Sequence, residues 1–231
     1  MERPVEPDLD DLMGRLGYRF LDESRLRLAL LHRSYQAEFD ESYSNERLEF
    51  LGDAVLGWVI ADLAFRRLPD DPEGRLSDLR QAVVNTHALA DRARDIDLGS
   101  FLLLGHGEAT GGGRDKDSIL ADAFEAVIGA IYVDGGDAAA REFVNRRLAA
   151  SVEEMIPVLD TVDAKTALQE LCAQQGHHAP QYETTGEGPD HDRVFTARVS
   201  VGSRTVGSGR GRTKKAAEQV AAREAIARLT H

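Results

Sequence analysis

Cysteine is nearly missing from this 231-residue chain, with Cys172 standing alone. No disulfide can form within one chain, and a lone thiol fits a reducing compartment. It is expected to pack as a small hydrophobe rather than to act as a nucleophile. Apolar runs that could span a bilayer are missing too. The longest, near residues 54–65 and 126–133, are too short or too interrupted. The opening Met-Glu-Arg-Pro-Val-Glu-Pro-Asp has no basic start followed by an apolar stretch, so it does not read as a secretory signal. A soluble, cytoplasmic protein with no membrane partner is expected. Positive charge is also short: 28 Lys and Arg against 40 Asp and Glu give a net −12, which by itself speaks against a nucleic-acid partner. There is no internal repeat and no low-complexity tract.

The charge is unevenly spread. Residues 161–231 hold ten Lys/Arg and eight Asp/Glu, a net of +2, which leaves 18 and 32, a net of −14, for residues 1–160. An acidic part joined to a mildly basic part suggests two domains with different tasks. Residues 1–8, polar and with prolines, are expected to be disordered. From 9 to 155 the apolar residues recur at helical spacing, predicting helices over 8–16, 24–31, 45–65, 76–96, 118–133 and 137–155 with no strand. Turn residues punctuate them at 69–72, 105–113 and 135–136. A connector is expected over 156–163. Residues 164–231 then read as a helix over 165–175, strands over 181–185, 194–201 and 204–209, and a helix over 213–229. Val194, Thr196, Arg198 and Ser200 alternate with Phe195, Ala197, Val199 and Val201, as a half-buried strand requires. The expected architecture is an all-α domain followed by a small α+β domain of order α-β-β-β-α.

In the segment Asn45-Glu46-Arg47-Leu48-Glu49-Phe50-Leu51-Gly52-Asp53, the asparagine is a suitable N-cap. Glu46, Glu49 and Asp53, three and four apart, share one helix face. Like charges so placed cost a helix about 0.2–0.5 kcal/mol per pair. Glu46 and Glu49 recover part of that from the helix N-terminus, whereas Asp53 lies too far along. A solvated acidic face is one account of them. The run 118–133 sharpens the question, because Asp122 and Glu125 are its only charges and again share a face. A helix apolar nearly all round belongs in a core. Carboxylates there are costly without a counter-charge, and this segment supplies no Lys or Arg. A structural polar cluster or a hard divalent cation bound by oxygens would each resolve this, and such a cation stabilises phosphoryl transfer and activates water.

Other polar features have plainer readings. His32 and His87 are expected to be satisfied helix residues. Gly111–Gly113 is not followed by Gly-Lys-Ser/Thr, so it is taken as a flexible turn and not a phosphate loop. Near the end of the chain, Lys214 and Lys215 fall in a helix first turn, where the macrodipole disfavours cations by about 0.3–1 kcal/mol. A local rule is often broken at a functional site. Both lysines and the free N–H groups suit a phosphate backbone, though an exposed basic turn that binds nothing is the alternative. No aromatic stacking platform is evident, so duplex shape recognition is favoured over single strands.

Asn45–Asp53 resembles the signature of the ribonuclease III family residue for residue. His32-Arg33-Ser34, Leu104-Gly105-His106-Gly107-Glu108, Gly111-Gly112 and Ser118-Ile119-Leu120-Ala121-Asp122 are similar to that family as well. Residues 164–231 resemble a double-stranded-RNA-binding domain through Thr166, Gln169, Glu170, Pro180, Tyr182, Gly188, Pro189, His191 and Lys214-Lys215-Ala216-Ala217. The resemblance covers nearly the whole chain from Leu9 onward.

The resemblance implies a Mg²⁺-dependent endoribonuclease that cuts double-stranded RNA, with Mn²⁺ able to substitute and no small-molecule cofactor. Glu49, Asp53, Asp122 and Glu125 match metal-binding positions, Asp53, Glu125 and Glu46 are the expected catalytic residues, and Glu46 matches a further acidic position near the dimer interface and cleavage site. The products would carry 5′-phosphate and 3′-hydroxyl ends. A homodimer would cut both strands to leave short 3′ overhangs, and Phe50 would pack into a socket on the partner subunit. A plain core role for Phe50 is the alternative. Thr166, Gln169 and Glu170 would enter one minor groove and His191 the next, with Lys214 and Lys215 on the phosphates between. Ribosomal RNA precursors and messenger RNA are the family's expected substrates. Glu218 stands where many such RNA-binding domains carry another cation, which implies weaker binding. Two rivals are a non-catalytic duplex-RNA binder, which would bind without cutting, and an all-α nucleotide pyrophosphohydrolase, which would hydrolyse free nucleoside triphosphates.

Overall fold

The computed structural model describes residues 5–162, 164–187, 193–211 and 213–230, without the side chains of 160–162. His191 and residues 1–4 lie outside the described residues. The chain divides into two compact units, Met1–Met155 and Ile156–His231.

The first unit is helical: α1 (Leu9–Leu16), α2 (Glu23–Ala29), α3 (Arg33–Phe39), α4 (Glu46–Arg67), α5 (Glu73–Val83), α6 (Thr86–Asp95), α7 (Leu98–Phe101), α8 (His106–Thr110), a 3₁₀ turn at Gly113–Asp115, and α9 (Asp117–Val162). Leu12, Leu16, Leu26, Leu30, Leu56, Ile60, Leu79, Leu89, Phe124 and Phe143 are fully buried and fill its core. The apolar first half of α9 supplies much of it, since Ala123, Phe124, Ala126, Val127, Ile128, Ala130 and Ile131 have no exposed surface.

Several expectations are corrected. The single helix expected over 76–96 is broken at Asn85, whose Oδ1 accepts the Ala88 N–H (3.0 Å) and starts α6. Helix α3 was not expected at all; with Tyr35 its only buried residue, it shows no apolar period. The chain before α1 is held from Glu6 on, because Glu6 pairs with Arg27 through two hydrogen bonds (2.8 and 2.9 Å) and Asp8 caps α1. The turn punctuation expected over 105–113 contains α8 ahead of the turn at Gly111–Gly113, and the segment is fixed at its base. There the Gly105 N–H donates to Ser34 Oγ (3.0 Å) and the His106 N–H to Glu38 Oε2 (2.7 Å). Residues 156–162, expected as connector, continue α9 with Pro157 inside it. Among the described residues of this unit, the one strand-like feature is an isolated bridge between Leu31 and Leu103.

Helix α9 is two helices in one span, broken at Gly136 (φ 77°, ψ −170°), a conformation glycine adopts without penalty. The Asp134 carboxylate beside the break is fully buried. It accepts from Tyr18 Oη (2.8 Å) and from the N–H groups of Leu21 (2.9 Å) and Asp22 (3.1 Å), and it pairs with Arg25 (3.1 Å).

In the second unit, α10 (Ala164–Gln174) precedes β1 (Pro180–Glu187), β2 (Val194–Val201) and β3 (Arg204–Gly211), and α11 (Lys214–Thr230) closes it. The sheet is antiparallel in the order β1-β2-β3, with Tyr182 opposite Val199 and an irregularity between Val199 and Ser200. Leu168 and Cys172 of α10, Ala197, Val199 and Val206 of the sheet, and Ala217, Ala221, Ala222 and Ala225 of α11 form one core. Cys172 is thus a packed hydrophobe, its thiol pKa pushed up by burial. A Cβ on Gly209 would lie 2.4 Å from the Ala217 carbonyl oxygen, so glycine there lets α11 lie directly on the sheet.

Candidate functional site

Helix α4 carries Glu46, Glu49 and Asp53, and the first half of α9 carries Asp122 and Glu125. The two backbones meet at glycines. A Cβ on Gly52 would fall 1.8 Å from the Glu125 carbonyl oxygen, and one on Gly129 would fall 2.1 Å from that of Leu48. This contact places the carboxylates one turn away against each other. Glu49, Asp122 and Glu125 each offer an oxygen, and the three atoms lie within 4.8 Å of one another. Asp53 is outside that set but close enough for its charge to act on Glu125 and Glu49. Glu46 is also outside it, exposed, with Oε2 accepting from Ser44 Oγ (2.8 Å).

Asn45, expected as a side-chain cap for α4, makes no capping hydrogen bond. It is buried, with Nδ2 donating to the Ala29 carbonyl (3.4 Å) and its own N–H to the Leu31 carbonyl (2.8 Å). It therefore ties the start of α4 to the end of α2.

The electrostatics are those of crowded, partly dehydrated carboxylates. Burial, followed by the charges of Asp53, Asp122 and Glu49, pushes the Glu125 carboxyl up to about 8. Burial, then Asp122 and Glu46, raises Glu49. Burial raises Asp122, opposed by His32 and Arg33. Among the described residues none of the three makes an ion pair. Half-buried carboxylates without cationic partners are unfavourable unless protonated or neutralised. An all-oxygen set of this kind fits a hard divalent cation, so Glu49, Asp122 and Glu125 can hold one.

Glu46, Glu49 and Asp122 line a cleft of ≈ 410 Å³ together with His32, Arg33, Glu108 and Lys116. His32 is the N-cap of α3, not a residue within it. Its Nδ1 accepts from the Ser34 N–H (3.2 Å) and shares a hydrogen bond with Ser34 Oγ (2.8 Å), and burial chiefly lowers its pKa. His87 is exposed on α6, its Nδ1 3.1 Å from Asp117. The cations Arg33 and Lys116 at the cleft carried no sequence-based role, although Arg33 lies within the His32-Arg33-Ser34 motif and Lys116 stands just before Ser118–Asp122.

Phe50, on the same helix, is 80% exposed, so it is no part of this chain's core. Near it, Leu28, Tyr43, Ser44, Arg47, Leu48, Leu51 and Val133 line a groove of ≈ 300 Å³. In the second unit Thr166, Gln169 and Glu170 are exposed on α10, away from its buried Leu168 and Cys172. Lys214 and Lys215 are exposed in the first turn of α11, where Thr213 Oγ1 accepts the Ala216 N–H (3.1 Å). Glu218 is committed within the unit, pairing with Lys165 (2.5 Å) and accepting from Thr184 Oγ1 (3.2 Å).

A helical unit with carboxylates gathered across two crossing helices, followed by an α-β-β-β-α module, defines a two-domain nuclease. Comparison with known proteins agrees. The ribonuclease-III-like family model matches residues 22–152, and the double-stranded RNA binding motif matches residues 164–229. The chain is 52% identical to ribonuclease 3 of Streptomyces coelicolor, over 93% of this chain and 77% of that protein. It is 52% identical to ribonuclease 3 of Symbiobacterium thermophilum, over 91% and 90%. Among solved structures, the nuclease domain of ribonuclease III from Campylobacter jejuni is 41% identical with a TM-score of 0.58, covering 65% of this chain and 97% of that one. The chain belongs to the ribonuclease III family and is an endoribonuclease acting on double-stranded RNA. The pyrophosphohydrolase alternative falls with that membership. No described helix is long and apolar enough to cross a membrane.

Proposed function

We propose that this endoribonuclease is Mg²⁺-dependent, with Mn²⁺ as a substitute, and that Glu49, Asp122 and Glu125 hold the metal with Asp53 beside them. The observation that carries this is the set of three carboxylate oxygens within 4.8 Å, none with a cationic partner among the described residues. A bound divalent cation there supplies an activated water and neutralises charge on the phosphate under attack. Glu125, held protonated at neutral pH by burial and its neighbours, gives up its proton to bind metal. Asp53 stands next to it, and Glu46 lines the cleft. Hydrolysis leaves 5′-phosphate and 3′-hydroxyl ends.

Exposed Phe50 and the nearby groove support a homodimer in which each Phe50 enters the groove of the other copy. A second Campylobacter jejuni structure concerns flexibility in the region involved in dimer formation of that nuclease domain (41% identity, TM-score 0.59). Two subunits would cut the two strands and leave short 3′ overhangs. Thr166, Gln169, Glu170, His191, Lys214 and Lys215 contact the duplex. Ribosomal RNA precursors and messenger RNA in the cytoplasm are the proposed substrates.

The test is digestion of a long end-labelled RNA duplex with Mg²⁺, with Mn²⁺ and with chelator, beside the matching DNA duplex. Cutting of RNA alone, in either metal and not in chelator, is expected. Binding without cutting would overturn the catalytic role of the carboxylates.

A further inference from the structure

The cleft at the carboxylates is lined by cations as well as acids. Arg33 opens α3 and Lys116 immediately precedes α9, and both border the same ≈ 410 Å³ space as Glu49 and Asp122. A site built only to hold a metal ion would be weakened by two positive charges on its rim, since they repel the ion it binds. Arg33 also stands in a helix first turn, where the dipole disfavours a cation. It is exposed and makes no ion pair among the described residues. Lys116 Nζ is held 2.5 Å from Glu108 Oε1, and that pairing keeps the Glu108 carboxyl below its usual range. Nothing about the helix ends or the core requires either cation. What suits both is an anion arriving from outside: guanidinium presents paired N–H donors to a phosphate, and ammonium meets it as a point charge.

We propose that Arg33 and Lys116 bind the non-bridging oxygens of the RNA phosphate presented to the carboxylate cluster, with Glu108 as the partner of Lys116 until that phosphate replaces it. The proposal rests on the nuclease reading above and adds the residues that seat the substrate. The loop 105–116 is well placed for such a role, since its hydrogen bonds to Ser34 and Glu38 of α3 hold the two cation-bearing segments together. Removing either cation therefore has opposite effects on the two ligands. Phosphate is held more weakly, while a divalent ion meets less repulsion.

Full-length chains with Arg33→Gln, Lys116→Gln and Lys116→Arg are compared with the unaltered chain in two assays. These are cleavage of an end-labelled RNA duplex at saturating RNA, and Mn²⁺ binding without RNA, read by the loss of the free-ion paramagnetic resonance signal. The two glutamine variants are expected to cut roughly tenfold more slowly or worse, to bind Mn²⁺ as tightly as the unaltered chain or more tightly, and Lys116→Arg to recover most of the rate. Unimpaired cutting by both glutamine variants would overturn the proposal and leave the nuclease reading intact. Slow cutting that tracks weakened Mn²⁺ binding would overturn it too, assigning the cations to upkeep of the carboxylate site. An unaltered chain that binds RNA but stays inert with either metal would sink the nuclease reading and this proposal with it.

Discussion

Gly52 and Gly129 are the contact on which the carboxylate site is built. The backbone of α4 rests on that of α9 so closely that a methyl group on Gly52 would sit 1.8 Å from the Glu125 carbonyl oxygen. The obstructing atoms are backbone, so no rotamer change makes room. Gly129→Ala is expected to push the helices apart, cost about 1–3 kcal/mol of stability by overpacking, and slow cleavage by roughly a hundredfold through misplacement of Glu49 and Glu125. Gly14→Ala is the control, since a Cβ at Gly14 in α1 meets nothing within 4 Å. It should raise stability by about 0.5–1 kcal/mol and leave cleavage unchanged. Thermal melts and duplex cleavage on both variants check this; normal activity in Gly129→Ala would remove the crossing from the site.

Glu125 should make the metal-free protein less stable in base. In the folded chain its carboxyl titrates at about 8, whereas in the unfolded chain it titrates near the ordinary ~4.3. Between those values the folded state holds a proton that the unfolded state has released. The stabilisation is therefore fully present below the unfolded value and is lost as pH rises through about 8. Glu125→Gln removes the titration. In chelator, its melting temperature should fall less than that of the unaltered chain between pH 5.5 and pH 8.5. Mg²⁺ should raise the melting temperature of the unaltered chain at the basic end and do little for the variant. The same variant should bind duplex RNA but not cut it. Parallel pH profiles for the two chains would contradict the account.

Phe50 should hold two chains together. With 80% of its surface exposed, its replacement removes nothing from the core of a single chain. Phe50→Glu keeps a good helix former in α4 while placing a charge where an apolar groove must receive it. The variant is expected to run at the mass of one 25.3 kDa chain by light scattering, against twice that for the unaltered protein, with its helical content preserved. A dimeric Phe50→Glu would move the interface elsewhere.

Long periodic elements were legible from residues alone. The apolar rows of α4, the nearly all-apolar first half of α9 and the alternation in β2 each repeat often enough to declare their period and their buried side. Helices α3, α7 and α8 were not: α3 buries only Tyr35, α8 buries none of its residues, and α7 is a single turn, so none repeats an apolar period. The break at Asn85 turns on one capping hydrogen bond inside an otherwise continuous pattern. For the site, spacing placed Glu46, Glu49 and Asp53 on one helix face and Asp122 and Glu125 on another. How the two faces meet is a tertiary fact. The glycine at 52 and the glycine at 129 are its only local trace, and they draw Glu49, Asp122 and Glu125 together while leaving Asp53 and Glu46 outside the close set. Arg33 and Lys116 were hidden for the same reason: 83 positions apart, they share one cleft only in the fold.

Lys214 and Lys215 should set the salt dependence of RNA binding. Both are exposed in the first turn of α11, and among the described residues neither is engaged in an ion pair. Each phosphate contact releases condensed counterions, so the logarithm of the affinity falls with the logarithm of salt by somewhat under one per contact. Lys214→Ala with Lys215→Ala should therefore weaken duplex binding at low salt and reduce the steepness of that fall by about two. Glu218 predicts a contrast. It pairs with Lys165 and accepts from Thr184, so it serves the packing of α10 and β1 against α11 as much as it opposes RNA. Glu218→Lys should thus lower the melting temperature of the second unit without a matching gain in affinity. Titrations across a salt series, with melts on the same samples, separate the two effects. An unchanged slope in the double variant would take these lysines off the phosphate backbone, and tight binding by an undamaged Glu218→Lys would make that glutamate a brake on RNA binding with no structural duty.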